Sequence, residues 1–107
     1  MRITSIEKVK FVPGKWEEAG EAMKNFKKLA QKLGFPEYKI YGAVSGGDVV
    51  QTLYFQTQWE SLAQMETLTE KFFSDAEMRE MMGKWAGVVA SHEVTLLKEL
   101  SEEELGI

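Results

Sequence analysis

Residues 38–59, Tyr38-Lys-Ile-Tyr-Gly-Ala-Val-Ser-Gly-Gly-Asp-Val-Val-Gln-Thr-Leu-Tyr-Phe-Gln-Thr-Gln-Trp59, constrain the fold more than any other stretch. Two runs rich in Val, Ile, Tyr, Phe and Thr flank Ser45-Gly46-Gly47-Asp48. The Gly-Gly-Asp tip supplies the positive-φ positions of a tight turn, so the stretch predicts a β-hairpin. In its second strand Val49, Gln51, Leu53, Phe55, Thr57 and Trp59 point one way, and Val50, Thr52, Tyr54, Gln56 and Gln58 the other. The first face is mostly apolar and belongs against helices. The second is polar without charge, which marks a face closed against something rather than fully solvated.

The flanking segments supply the helices and two more strands. Ile3 to Val12 reads as a central strand, with Ile3, Val9 and Phe11 on one face and Ile6 and Val12 on the other, and Pro13-Gly14 ends it. Residues 15–33 read as a helix: Trp16, Ala19, Met23, Phe26, Ala30 and Leu33 recur at spacings of three and four. Acids lie in its early turns and lysines in its later ones, and Gly34 fits the C′ position. A second helix is expected over about 61–73. Ser74-Asp75-Ala76-Glu77 has capping-box spacing, with Ser74 as N-cap, and opens a third helix to about residue 86. Ala90 to Leu100 reads as the last strand, with His92, Val94 and Leu96 on one face and Glu93, Thr95 and Leu97 on the other. Residues 101–107 form an acidic tail of one helical turn beyond a single domain of residues 1–100.

The order β-α-β-β-α-α-β is an α+β, ferredoxin-like plan with a split second helix. Right-handed crossovers place the helices on one face of a four-stranded antiparallel sheet. The face carrying Val50 and Tyr54 then has no helix to cover it. A second copy of the chain is the expected cover, and two sheets face to face make a dimeric α/β barrel.

Composition excludes several functions. A net charge of −4 with 13 Lys+Arg leaves no electrostatic footprint for nucleic acid. The absence of cysteine removes disulfides, thiolate nucleophiles and thiolate metal sites. No apolar run reaches the roughly 20 residues of a membrane span, and no signal-peptide pattern opens the chain, so a cytoplasmic setting is expected. One histidine without cysteine is poor material for a metal site, and no phosphate loop exists because no helix follows Gly46-Gly47. No cofactor is expected.

Several short blocks resemble the NIPSNAP family of the dimeric α/β barrel superfamily, with the antibiotic-biosynthesis monooxygenase-like family next. Val12-Pro13-Gly14-Lys15 is similar to the Lys-Pro-Gly-Lys element after the first strand. Trp59-Glu60-Ser61-Leu62-Ala63 resembles the aromatic-Glu-Ser-Leu-Ala entry to the second helix. Asp75-Ala76-Glu77-Met78 resembles an Asp-Pro-Glu-Trp turn, without its Pro and Trp, and Glu93, Leu96 and Leu97 resemble the closing strand. The order and spacing of the blocks, over roughly residues 3–100, carry the match. The family's Val-Val-His-Leu-Trp strand is not reproduced, since Gln51-Thr52-Leu53 follows Val49-Val50. The resemblance implies a fold and a homodimer more than a chemistry.

Candidate site residues follow from the expected barrel. Tyr41, Val50, Thr52, Tyr54 and Gln56 are the pocket candidates, because uncharged polar and aromatic groups facing a lumen suit a small apolar or aromatic ligand. Their plainer reading is a dimer interface of Tyr and Gln making cross-sheet hydrogen bonds. His92 and Tyr54 are the catalytic candidates, with His92 as general base. The plainer reading of His92, a hydrogen-bonded strand-end residue, is preferred. Glu93 cannot orient it, since neighbouring strand residues face opposite ways. Met78, Met81, Met82 and Trp85 form a stripe that reads as core packing before pocket lining. Relatives of this fold that degrade haem use a His on that helix, and residues 75–86 contain none. Three functions are therefore expected in order: a NIPSNAP-like homodimer binding a small apolar or aromatic ligand, a cofactor-independent monooxygenase for a phenolic or enolic substrate, and a non-catalytic interaction module.

Overall fold

The computed structural model describes residues 1–46 and 51–107. Its elements run β1 (Ile3–Phe11), α1 (Trp16–Leu33), β2 (Tyr38–Tyr41), β3 (Thr52–Trp59), α2 (Leu62–Ser74), α3 (Ala76–Ala86), β4 (Val89–Leu97) and α4 (Glu102–Leu105). The strands form one antiparallel sheet in the order β2-β3-β1-β4. This is the ferredoxin-like arrangement, with helices packed on one face of the sheet.

Local chemistry sets the boundaries. Gly14, at φ 81°, turns the chain from β1 towards α1. α1 ends in a Schellman closure: Gly34 at φ 83° donates its N–H to the Gln31 carbonyl, and the Phe35 N–H donates to the Ala30 carbonyl. At the start of α2 the Ser61 hydroxyl accepts from the Gln64 N–H at 3.0 Å, while the Gln64 side-chain oxygen accepts from the Glu60 N–H at 2.7 Å. α3 differs from its expected cap. Asp75, not Ser74, is the N-cap, and its carboxylate accepts from the Met78 N–H at 2.9 Å. Ser74 remains in α2, where its hydroxyl donates to the Glu70 carbonyl at 2.8 Å. A carboxylate three residues before a free N–H fits a helix start as well as the serine does, and it adds charge opposite to the helix dipole.

The paired stretch of the expected hairpin is short. β2 and β3 pair over Tyr38↔Thr57 to Tyr41↔Tyr54, and the ladder stops there. Gln51 adopts φ 53°, which ends extended backbone on the N-terminal side of β3, and its carbonyl accepts from the Phe11 N–H at 2.8 Å. Gly47, Asp48, Val49 and Val50 lie outside the described residues. β4 stops at Leu97, three residues short of expectation.

Register sorts the side chains into two faces. Ile3, Val9 and Phe11 of β1 share the helix side with Leu53, Phe55 and Trp59 of β3. Two buried clusters sit there. One gathers Val9, Phe11, Ala19, Phe55 and Val88, and the other Ile3, Trp59 and Leu68. Phe11 is fully buried and meets Trp16 and Trp85 edge-on, each at 5.6 Å between ring centroids. The opposite face takes Thr4, Ile6, Lys8 and Lys10, with Thr52, Tyr54, Gln56 and Gln58 beside them. That face is therefore not free of charge, as β3 alone suggested: Lys8 lies between Tyr54 and Glu93 in register, and β2 adds Lys39. The molecule is a slab of 48 × 36 × 17 Å, one sheet and one helical layer thick. No helix among the described residues is long and apolar enough to cross a membrane.

Candidate functional site

A cavity of about 390 Å³ lies between the helix side of the sheet and the helices. It occupies the gap flanked by the two buried clusters. β1 contributes Ser5, Glu7 and Val9 to its floor, β3 contributes Phe55, Thr57 and Trp59, and β4 contributes His92, Val94 and Leu96. Alternation explains this set, because these residues have the parity of the helix-facing side of each strand. Met23, Phe26 and Ala30 of α1, Met65 and Phe72 of α2, and Met81, Met82 and Trp85 of α3 form the roof. The methionine stripe of α3 is thus both core and lining: Met78 and Met81 are buried, and Met81 and Met82 reach the cavity.

Aromatic rings line the cavity in an unbroken series. Trp59 meets Phe35 at 5.9 Å, Phe35 meets Phe72 at 6.1 Å, and Phe72 meets Phe26 at 6.2 Å. Phe26 meets Tyr38 at 6.0 Å, and Tyr38 meets Phe55 at 5.7 Å. These centroid separations lie within the range of favourable tilted and edge-to-face packing. Burial raises the pKa of the Tyr38 phenol by disfavouring its anion.

The polar groups are few. The buried Ser5 hydroxyl accepts from the Trp59 indole N–H at 3.0 Å, which fixes one aromatic wall to the central strand. Thr57 stands opposite Ser5 in register and is also buried. Glu7 and His92 stand near the mouth, with Glu7 Oε1 3.5 Å from His92 Nε2. That separation is longer than a well-formed hydrogen bond. Their side chains are 39% and 42% exposed, so the pair meets both cavity and solvent. Among the described residues no cluster of three metal-ligating side chains occurs.

Of the residues nominated from sequence, the cavity takes in His92 and none of Tyr41, Thr52, Tyr54 or Gln56. Those four lie on the helix-free face, where Tyr41 and Tyr54 are register partners. Val50 lies outside the described residues. Tyr54 and His92 stand on opposite sides of the sheet, so one subunit does not bring them together. The partner of His92 is Glu7, and Glu93 faces the other side of the sheet as expected. Glu7 itself escaped the sequence reading. Its signal was present: it shares parity with Ile3, Val9 and Phe11, which puts a carboxylate on the helix-facing side of the central strand.

Solved structures with this architecture decide the fold. A NIPSNAP family protein from Agrobacterium tumefaciens superposes with a TM-score of 0.75 at 16% identity, covering 97% of this chain and 90% of that one. The chain has the NIPSNAP fold. An uncharacterised NIPSNAP-like domain protein from Burkholderia xenovorans superposes with a TM-score of 0.76 at 11% identity, over 94% of this chain and 86% of that one. A Bordetella bronchiseptica protein that carries the name antibiotic biosynthesis monooxygenase gives a TM-score of 0.69 at 13% identity, over 94% of this chain and 98% of that one. No family model and no curated protein sequence matches the chain. The likeness to NIPSNAP structures is therefore one of fold, and the chemistry must be argued from the cavity.

Proposed function

We propose that this NIPSNAP-like protein is a homodimer that binds a small, mainly apolar aromatic molecule between its sheet and its helices. The observation that carries the proposal is the cavity itself. Its volume of about 390 Å³ falls in the usual range for small-molecule sites, roughly 300–1,000 Å³. Its walls are aromatic rings and methionines, with a few polar groups. Methionine adapts to irregular ligands, and the aromatic rings supply large apolar contact area.

The dimer reading rests on the helix-free face and on β4. Ile6, Tyr54 and Gln56 are only partly exposed there, although no element of the chain's helical layer covers them. β4 is an edge strand, and on the helix-free face its Leu97 remains 48% exposed. Long exposed apolar edges favour association, and a second copy would cover them. A radius of gyration of 15.4 Å also exceeds the roughly 13 Å of a compact domain of this length, in keeping with an unclosed layer.

Calorimetric titration with tryptophol, a neutral indole alcohol, tests the ligand reading. One molecule should bind per chain. Ala30→Leu, which pushes a larger side chain into the cavity from α1, should weaken binding by about tenfold or more, whereas Tyr54→Ala should leave it within about twofold. Binding that survives Ala30→Leu but is lost in Tyr54→Ala would place the ligand on the helix-free face instead.

A further inference from the structure

Taking the cavity to be a ligand site, we infer that it selects an organic cation, an aromatic or alkyl amine, over neutral and anionic molecules of the same shape. The inference rests on the site proposed above and concerns the charge of the occupant. Among the described residues no Lys or Arg lines the cavity. Among the described residues Glu7 is the only carboxylate that does so. His92 approaches its Oε1 at 3.5 Å.

The surrounding rings act in the same direction. The faces of Trp, Tyr and Phe attract a cation placed within about 6 Å of the ring centroid. Eight aromatic side chains besides His92 line this cavity. A carboxylate at the mouth, aromatic walls and the lack of a lining Lys or Arg among the described residues together suit an ammonium group carried on an apolar body. A carboxylate or phosphate ligand would meet Glu7 with like charge and find no lysine or arginine partner there.

The test compares three probes that share the indole and a two-carbon arm: tryptamine, tryptophol and indolepropionate. Each is titrated into the full-length protein and into Glu7→Gln and Glu93→Gln. Glu93 lies on the opposite face of the sheet, so its variant controls for the overall negative charge of the chain. Tryptamine should bind about tenfold more tightly than tryptophol, with indolepropionate weakest. Glu7→Gln should bring tryptamine to within about twofold of tryptophol, and Glu93→Gln should keep both the preference and the tryptophol affinity. Tryptophol binding without an amine preference, or a preference that survives Glu7→Gln, overturns this inference and leaves the ligand site standing. Failure of all three probes to bind removes the ligand site and this inference with it.

Discussion

Ser5→Ala offers a direct test of how the cavity wall is held. The indole of Trp59 is buried and its N–H donates to Ser5 Oγ at 3.0 Å across the β1–β3 pair. Removing that oxygen leaves a buried donor without an acceptor, a loss of about 1–3 kcal/mol. Thr57→Val is the matched control. Thr57 is the register partner of Ser5, it is buried on the same floor, and its hydroxyl has no hydrogen-bond partner among the described residues. Its replacement by a residue of the same shape should change stability by less than about 0.5 kcal/mol. Urea unfolding monitored by tryptophan fluorescence gives both numbers. Trp59→Phe completes a double-mutant cycle, in which Ser5 and Trp59 should couple by about 1 kcal/mol. Equal, small losses for Ser5→Ala and Thr57→Val, with no coupling, would refute the claim that this hydrogen bond fixes the wall.

Other expectations come from the same geometry. Asp75→Ala should lower stability by about 1 kcal/mol through loss of the α3 cap, while Ser74→Ala should remain within about 0.5 kcal/mol of the parent; urea midpoints distinguish them. Because burial raises the Tyr38 pKa, the folded state favours the neutral phenol, and this contribution is complete below the free phenol's value of about 10 and is lost as pH rises through the higher folded value. Stability should therefore fall on the alkaline side of about pH 10, and Tyr38→Phe should make that fall shallower in urea titrations taken across that range. Sedimentation at micromolar concentration should give a dimer, and a stable monomer would contradict the interface proposed for the helix-free face.

The repeating patterns in the chain made the architecture legible. Three- and four-residue spacing marks α1 and α3, and two-residue alternation assigns the faces of β3 and β4, including the shared side of His92, Val94 and Leu96. The boundaries were harder because competing local signals were nearly equivalent. Ser74-x-x-Glu77 and Asp75-x-x-Met78 both have cap spacing, and only the backbone conformation at Asp75 selects between them. The start of β3 depends on the left-handed turn at Gln51 and on its bond from Phe11, forty residues away in sequence. The site was the least legible part. A cavity is set by the distance between two layers, which no single-strand pattern encodes. The polar face of β3 pointed to Tyr54 and Gln56, whereas the polar residues that β1 and β3 give the cavity, Ser5, Glu7 and Thr57, sit among apolar neighbours on the opposite face.

The location of bound ligand is the claim on which the functional account depends. Four of the six methionines, Met23, Met65, Met81 and Met82, line the cavity, so their methyl groups report on it directly. With carbon-labelled methionine methyl groups, a titration with tryptamine should shift the signals of all four and leave exposed Met1 in place. Still methionine signals, with the ring resonances of Tyr41 and Tyr54 moving instead, would show that the ligand occupies the other side of the sheet.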